Sequence, residues 1–267
     1  MRHGFPAMRR RWNSCGKGDM DYFESDGLRL AYFAEGEGTP IVLAHGFAST
    51  HRVNWIATGW SRALMEAGFR VIMPDMRGHG ESDKPHDAED YTLSAMAADL
   101  VALLDHLGEP GADLMGYSMG AMVALVAATE WPDRFDRVIA AGVGARLLAA
   151  DRDPRPVIEA LLADDPASVE DAGARMFRVF ADQNGQDRAA LAACFEAVRA
   201  PFPAEGLSRI SRPVLVVAGE TDSQAGAAGV LAARIPNARG FTVPKRDHMK
   251  TVGDRAYKEA VLKFLEG

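Results

Sequence analysis

The chain has 267 residues, 48% apolar and 25% charged, the balance of an ordinary globular protein long enough to bury a core and keep a pocket. Its formal net charge of −7 argues against a nucleic-acid partner, and no run of 18 or more apolar residues could cross a membrane. The two cysteines, Cys15 and Cys194, make no disulfide framework, and no Cys/His cluster has metal-ligand spacing, so neither a metal nor another cofactor is expected.

Residues 1–20 are basic, with Arg2, Arg9, Arg10, Arg11 and Lys17, and lack both periodicity and the apolar run of a secretory signal. They read as a disordered leader, and the expected location is the cytoplasm. Residues 21–36 read as two strands around Asp26-Gly27, a hairpin-forming pair. "PIVLAH" (40–45) and "RVIMPD" (70–75) are continuous apolar runs, as in strands buried on both faces of a parallel sheet. Between them, 55–67 reads as one helix closed by Gly68.

Thr92 is placed to cap a helix over 93–108, whose apolar positions Leu93, Met96, Leu100, Leu103, Leu104 and Leu107 recur at helical spacing. "ADLMGY" (112–117) reads as a strand, 119–130 as an Ala-rich helix, and 137–143, 213–219 and 240–244 as further strands before a last helix from about 251 to 265. Strand and helix thus alternate from residue 40 onward, which predicts an α/β fold: a mostly parallel β-sheet with helices on both faces. The alternation breaks once, over roughly 65 residues between Val143 and Pro213 that are helical in pattern, far more than a connection needs. The expected division is a core of 21–144 with 211–267, and a helical cap of 145–210 inserted between strands six and seven.

"GYSMG" (116–120) sets Ser118 between two glycines at the junction of the strand 112–117 and the helix 119–130. Composition alone produces Gly-x-Ser-x-Gly about 0.1 times in such a chain, so the pattern needs support from elsewhere. That support comes from the strand ends, where open parallel sheets place their ligands. Asp222 follows the strand 213–219 in "GETDS", and His248 follows the strand 240–244 in "PKRDHM". A serine hydroxyl becomes nucleophilic when an imidazole accepts its proton, and the imidazole needs a carboxylate to fix its tautomer and stabilise its charged form. Ser118, His248 and Asp222 are therefore the candidate catalytic set. Gly116 and Gly120 suit a strand-to-helix turn with no room for a Cβ, and the Met119 N–H at the helix start is a candidate oxyanion donor. Asp247 adjoins His248 but an adjacent side chain points elsewhere, which favours Asp222.

With "HGF" (45–47), "DMRGHGES" (75–82), "GYSMG", "GETD" (219–222) and "DHM" (247–249) in this order, the chain resembles the serine-nucleophile, esterase-like branch of the α/β-hydrolase superfamily over roughly residues 21–267. The resemblance implies that the Phe47 N–H is the second oxyanion donor beside Met119, and that Arg77, His79 and Ser82 belong to a structural turn. Haloalkane dehalogenases and epoxide hydrolases of this superfamily carry Asp where this chain has Ser118. The expected activity is hydrolysis of carboxylic esters with small to medium acyl groups through an acyl-enzyme. Carbon–carbon bond or lactone hydrolysis is the alternative, and a non-enzymatic ligand receptor of the same fold a more distant one. The expected partner is a small ester-like molecule; oligomeric state is open. Met176, Phe177, Phe180 and Phe195, on helical faces of the inserted segment, are candidate pocket residues, although such stripes more often serve the core.

Overall fold

The computed structural model describes residues 20–149 and 153–267. The proposed leader, apart from Met20, lies outside them. Strands β1 (Asp21–Ser25) and β2 (Leu28–Glu35) form an antiparallel hairpin. Its turn residues Asp26 and Gly27 have φ of 52° and 76°, the positive pair that lets a two-residue turn match strand twist. Then follow β3 (Thr39–Ala44), α1 (Trp60–Glu66), β4 (Phe69–Pro74), α2 (Leu93–Leu107), β5 (Ala112–Tyr117), α3 (Met119–Glu130) and β6 (Phe135–Ala141). After an insertion come β7 (Val214–Gly219) and β8 (Ala238–Val243). The eight strands form one sheet in the order β1-β2-β4-β3-β5-β6-β7-β8, parallel from β4 to β8 across the sheet.

The two-residue period of the central strands divides the core in two. Val42, Leu114, Val138, Ala140, Val214 and Val216 pack with α2 and α3 on one face. Their chain neighbours Ile41, Met115, Ile139, Leu215 and Val217 pack on the other, with Trp60 and Leu64 of α1. Because both faces are covered, β5 and β7 are buried at every residue, the condition that made these strands legible as continuous apolar runs.

The insertion between β6 and β7 contains α4 (Arg155–Leu162), α5 (Ala172–Gln183) and α6 (Arg188–Val198), with no strand among its described residues. Asp171 and Asp187 accept from backbone N–H groups of the first turns of α5 and α6, satisfying donors that a helix start leaves unpaired. Arg178 is buried, and its guanidinium bonds the Ala160 and Ala163 carbonyls, tying α5 to the end of α4. The inner half of the insertion is fused to the core: Cys194 and Val198 of α6, with Leu207 and Ile210 beyond it, share the core cluster of α3. These four residues precede residue 211, where the sequence suggests that the core resumes.

Three local expectations change. The single helix over 55–67 is split: Arg52–Ile56 form a π-helical turn, Thr58 Oγ1 donates to the Asn54 carbonyl at 2.6 Å, and Gly59 adopts φ 75° before α1 begins. The last helix, α9 (Arg255–Glu266), starts at Arg255 rather than near residue 251, where Asp254 caps it by accepting from the Ala256 N–H, and a short separate helix, α8 (His248–Thr251), precedes it. Between β7 and β8 a short helix α7 (Ala228–Ala232) was not foreseen.

Candidate active site

The three candidate catalytic residues each follow the carboxyl end of a strand, Ser118 after β5, Asp222 after β7 and His248 after β8. Ser118 follows β5 directly, with φ 53° and ψ −111°, a conformation that non-glycine residues rarely adopt. Its N–H donates to the Ala141 carbonyl of β6 at 2.7 Å, and its own carbonyl accepts from Ala121 and Met122 in the first turn of α3. Such a turn is possible because of its two glycines. A Cβ on Gly116 would lie 2.1 Å from the Gly120 carbonyl oxygen, and one on Gly120 would lie 2.1 Å from the Ala44 oxygen. Held this way, the serine hydroxyl stands out from the turn.

His248 is the first residue of α8, and Asp222 lies in the loop after β7. The Ser118 hydroxyl donates to His248 Nε2 at 3.1 Å, and His248 Nδ1–H donates to Asp222 Oδ2 at 2.8 Å. The other carboxylate oxygen of Asp222 accepts from the Gln224 and Ala225 N–H groups at 3.0 and 2.9 Å, which fixes its plane. Asp247 is turned away: its side chain accepts from the Lys250 N–H as the N-cap of α8. It thereby sets the start of the helix that carries His248.

Phe47 belongs to the loop after β3, where nearly every polar backbone group is committed. The Gly46 N–H donates to Asn54 Oδ1 at 3.0 Å, the Ala48 N–H to His79 Nε2 at 3.1 Å, and the Ser49 N–H to the Gly46 carbonyl at 3.2 Å. That carbonyl also accepts from His45 Nδ1–H at 2.8 Å. A trans peptide aims its N–H opposite its C=O, so this pinning turns the Phe47 N–H away from His45 and Ser49, with no acceptor among the described residues. Met119, the first residue of α3, has an N–H without an intrahelical partner. Gly46 adjoins the serine: a Cβ there would be 3.6 Å from Ser118 Cβ.

His45 and His79 are fully buried, and their ring centroids stand 5.1 Å apart. Each donates from Nδ1 to a carbonyl (Gly46 and Arg77) and accepts at Nε2 from an N–H (Met76 and Ala48). Burial pushes His79 down to about 3 and lowers His45 as well, so both are neutral supports of the loop. Ser82 bridges the Asp75 carbonyl and the Ala31 N–H, while Arg77 clamps Asp99 through two hydrogen bonds of 2.8 and 2.7 Å. These contacts are structural.

The four aromatic and Met residues of the insertion also converge here. Phe177, Phe195 and Phe47 form a triangle with centroid separations of 5.0 to 5.9 Å, joining α5 and α6 to the loop after β3. Met176, Phe177 and Phe180 line an apolar cavity of about 150 Å³ that reaches Ser118 and His248. Phe195 lies on a second cavity, of about 450 Å³, that shares Ser118, His248, Met176, Phe177 and Gln224 with the first.

Three contributors escaped sequence reasoning. The Tyr117 hydroxyl donates to the His248 carbonyl. Asn54 holds the Gly46 N–H from eight residues away. Gly142, after β6, has φ 69°, and a Cβ there would lie 3.1 Å from Tyr117 Cζ and 3.2 Å from His248 Cε1. Only Gly142 carried a signal, as a glycine at the end of a strand beside the Ser118 strand.

The sequence model of the family described as "alpha/beta hydrolase fold" matches residues 39–193. Among curated proteins, an epoxide hydrolase of Caballeronia sordidicola is 38% identical over 122 residues, 45% of this chain and 35% of that protein, so the match spans about a third of its relative. Among solved structures, a hydrolase from Pseudomonas aeruginosa PA01 superposes with a TM-score of 0.80 at 30% identity, over 94% of this chain and 100% of the other. A thermophilic esterase from Thermogutta terrifontis gives a TM-score of 0.76 at 25% identity, over 93% and 98%. With the sheet order, the serine on its strand-to-helix turn and this agreement over most of its length, the chain belongs to the α/β-hydrolase fold family.

Proposed function

We propose that this chain is a serine hydrolase that cleaves carboxylic esters of small to medium acyl substrates. The observation that carries the reading is the continuous hydrogen-bond chain from Ser118 Oγ through the His248 ring to Asp222, at 3.1 and 2.8 Å. Ser118 Oγ attacks the ester carbonyl carbon while its proton passes to His248 Nε2. Asp222 keeps the Nδ1–H tautomer and stabilises the imidazolium. The carbonyl oxygen, now negative, accepts from the Phe47 and Met119 N–H groups, which need no reorganisation to receive it. Collapse of this intermediate breaks the C–O bond, and the leaving alkoxide takes the proton from His248. Water then attacks the acyl-enzyme with His248 again taking a proton, the acid departs, and Ser118 is restored.

The chemistry needs no cofactor. A serine at position 118 favours acyl chemistry over epoxide opening, because the superfamily resemblance implies Asp at this position in epoxide hydrolases. The modest volume of the apolar cavity supports small and medium acyl groups. Hydrolysis of p-nitrophenyl esters of increasing acyl length by wild type and Ser118→Ala tests the proposal. Turnover that the substitution lowers by several powers of ten supports it; a variant of wild-type rate overturns it.

A further inference from the structure

Ser118 and His248 lie where two cavities of different chemistry meet, and the activity proposed above uses only the smaller one. That smaller cavity has no charged side chain on its wall apart from His248, which is charged only when protonated. The larger one is walled by Arg146, Arg199 and Asp153, with the Ser223 hydroxyl and Gln224 amide beside them. Asp153 is matched already, by the Arg155 guanidinium at 2.7 to 3.1 Å. Arg146 has no ion pair among the described residues. Its guanidinium is thus a cation on this wall, in a chain whose overall charge is −7.

The Arg146 position is built into the frame of the site. Its N–H donates to the Ala225 carbonyl at 3.0 Å, and the Ala145 N–H to the Ala227 carbonyl at 3.1 Å, tying this turn to the loop that carries Asp222. Gly226, at φ 70°, leaves room for the arginine stem: a Cβ there would meet Arg146 Cγ at 3.1 Å. Arg199 ends α6 with its guanidinium over the Phe195 ring, 4.6 Å from the centroid, on a residue that also contacts Phe47.

We propose that the second cavity receives a carboxylate-bearing arm of the substrate, held by Arg146 and Arg199, while the apolar arm occupies the first. The substrate class is thus a monoanionic ester, charged on one side of the scissile carbonyl and apolar on the other. This rests on the ester-hydrolase reading for the bond that is cleaved, but not for the anion site itself. Guanidinium groups suit the task because their planar N–H fork matches a carboxylate and stays charged at any physiological pH.

The test separates the two. First, calorimetric titration of adipate and of neutral 1-hexanol into Ser118→Ala measures binding without turnover. Adipate binding that Arg146→Gln weakens about tenfold in the same background, with hexanol unaffected, supports the anion site. Adipate binding no tighter than hexanol, or indifferent to both Arg146→Gln and Arg199→Gln, overturns it. Second, wild-type rates are compared for monoethyl adipate against ethyl heptanoate, and for 4-acetoxybenzoate against 4-methylphenyl acetate, placing the charge on the acyl or the alcohol side. A preference of about tenfold in kcat/KM for one charged ester, lost through KM in Arg146→Gln while its neutral counterpart is unchanged, supports the proposal. Equal rates within both pairs overturn the substrate class. Adipate binding without turnover of any ester counts against the ester reading alone.

Discussion

The hydroxyl of Tyr117, the residue just before the nucleophile candidate, donates to the backbone carbonyl of His248, 131 residues further along the chain. Their rings also lie 5.5 Å apart, centroid to centroid. One strand end therefore places the serine and steadies the imidazole that would activate it. Tyr117→Phe keeps the ring and removes the bond. We expect kcat for an ester to fall by up to about tenfold, the worth of one hydrogen bond, with KM little changed. A kcat equal to wild type would leave the bond without a role in positioning.

Gly142 leaves the space that His248 needs. Alanine there would bring its Cβ to 3.2 Å from His248 Cε1 and would hold a side chain at φ 69°, a strain of about 1 kcal/mol or more. The expected result for Gly142→Ala is a loss of ester turnover larger than the loss of stability would explain. Urea unfolding and kcat measured on the same preparation check it.

Asp222 accepts His248 Nδ1–H with one oxygen and two backbone N–H groups with the other. An amide at this position can turn its NH2 toward the imidazole and stabilise the wrong tautomer, leaving Nε2 protonated. Asp222→Asn is expected to reduce kcat by about 10⁴-fold while binding of a product acid to the protein persists. Asp247→Asn, which can still cap α8 through its side-chain oxygen, should cost far less.

Acid should unfold this protein earlier than its carboxylates alone would require. His79, held near 3 by burial, and His45, lowered for the same reason, refuse protons that the unfolded chain accepts near 6.5. Their contribution is complete above that value and is lost as pH falls toward the folded-state value. Burial pushes Asp75 up, but the His51 ring and backbone N–H outweigh it and hold the carboxyl at about 2, adding a loss below 3.8. The slope is about 1.4 kcal/mol per pH unit for each refused proton. Urea midpoints at pH 7, 6 and 5 should therefore decline steadily; a flat profile in wild type would refute the assignment of neutral, buried rings.

Asn54→Ala tests the loop after β3. It frees the N–H of Gly46, a residue that adjoins Ser118, and leaves it buried without an acceptor. The expected cost is about 1–3 kcal/mol of stability together with a lower kcat, read by thermal melts and ester assays.

What this sequence determined by itself is what neighbouring residues decide. β5 and α3 lie at the residues that the pattern assigns, because an apolar run, two glycines and an Ala-rich stretch act over a few peptide units. The order Ser118, Asp222, His248 was legible for a related reason: each follows a recognisable buried strand, and parallel strands deliver their ends to one edge. What tertiary structure alone decided is what depends on groups distant in the chain. The grip of Tyr117 on the His248 carbonyl and the clearance at Gly142 have no periodicity, since each exists only where separate loops meet. The two cavities follow the same rule. Phe177 and Phe195 could be named as apolar, but which wall each forms, and that Arg146 and Arg199 share one of them, was set by how α5 and α6 pack over the strand ends.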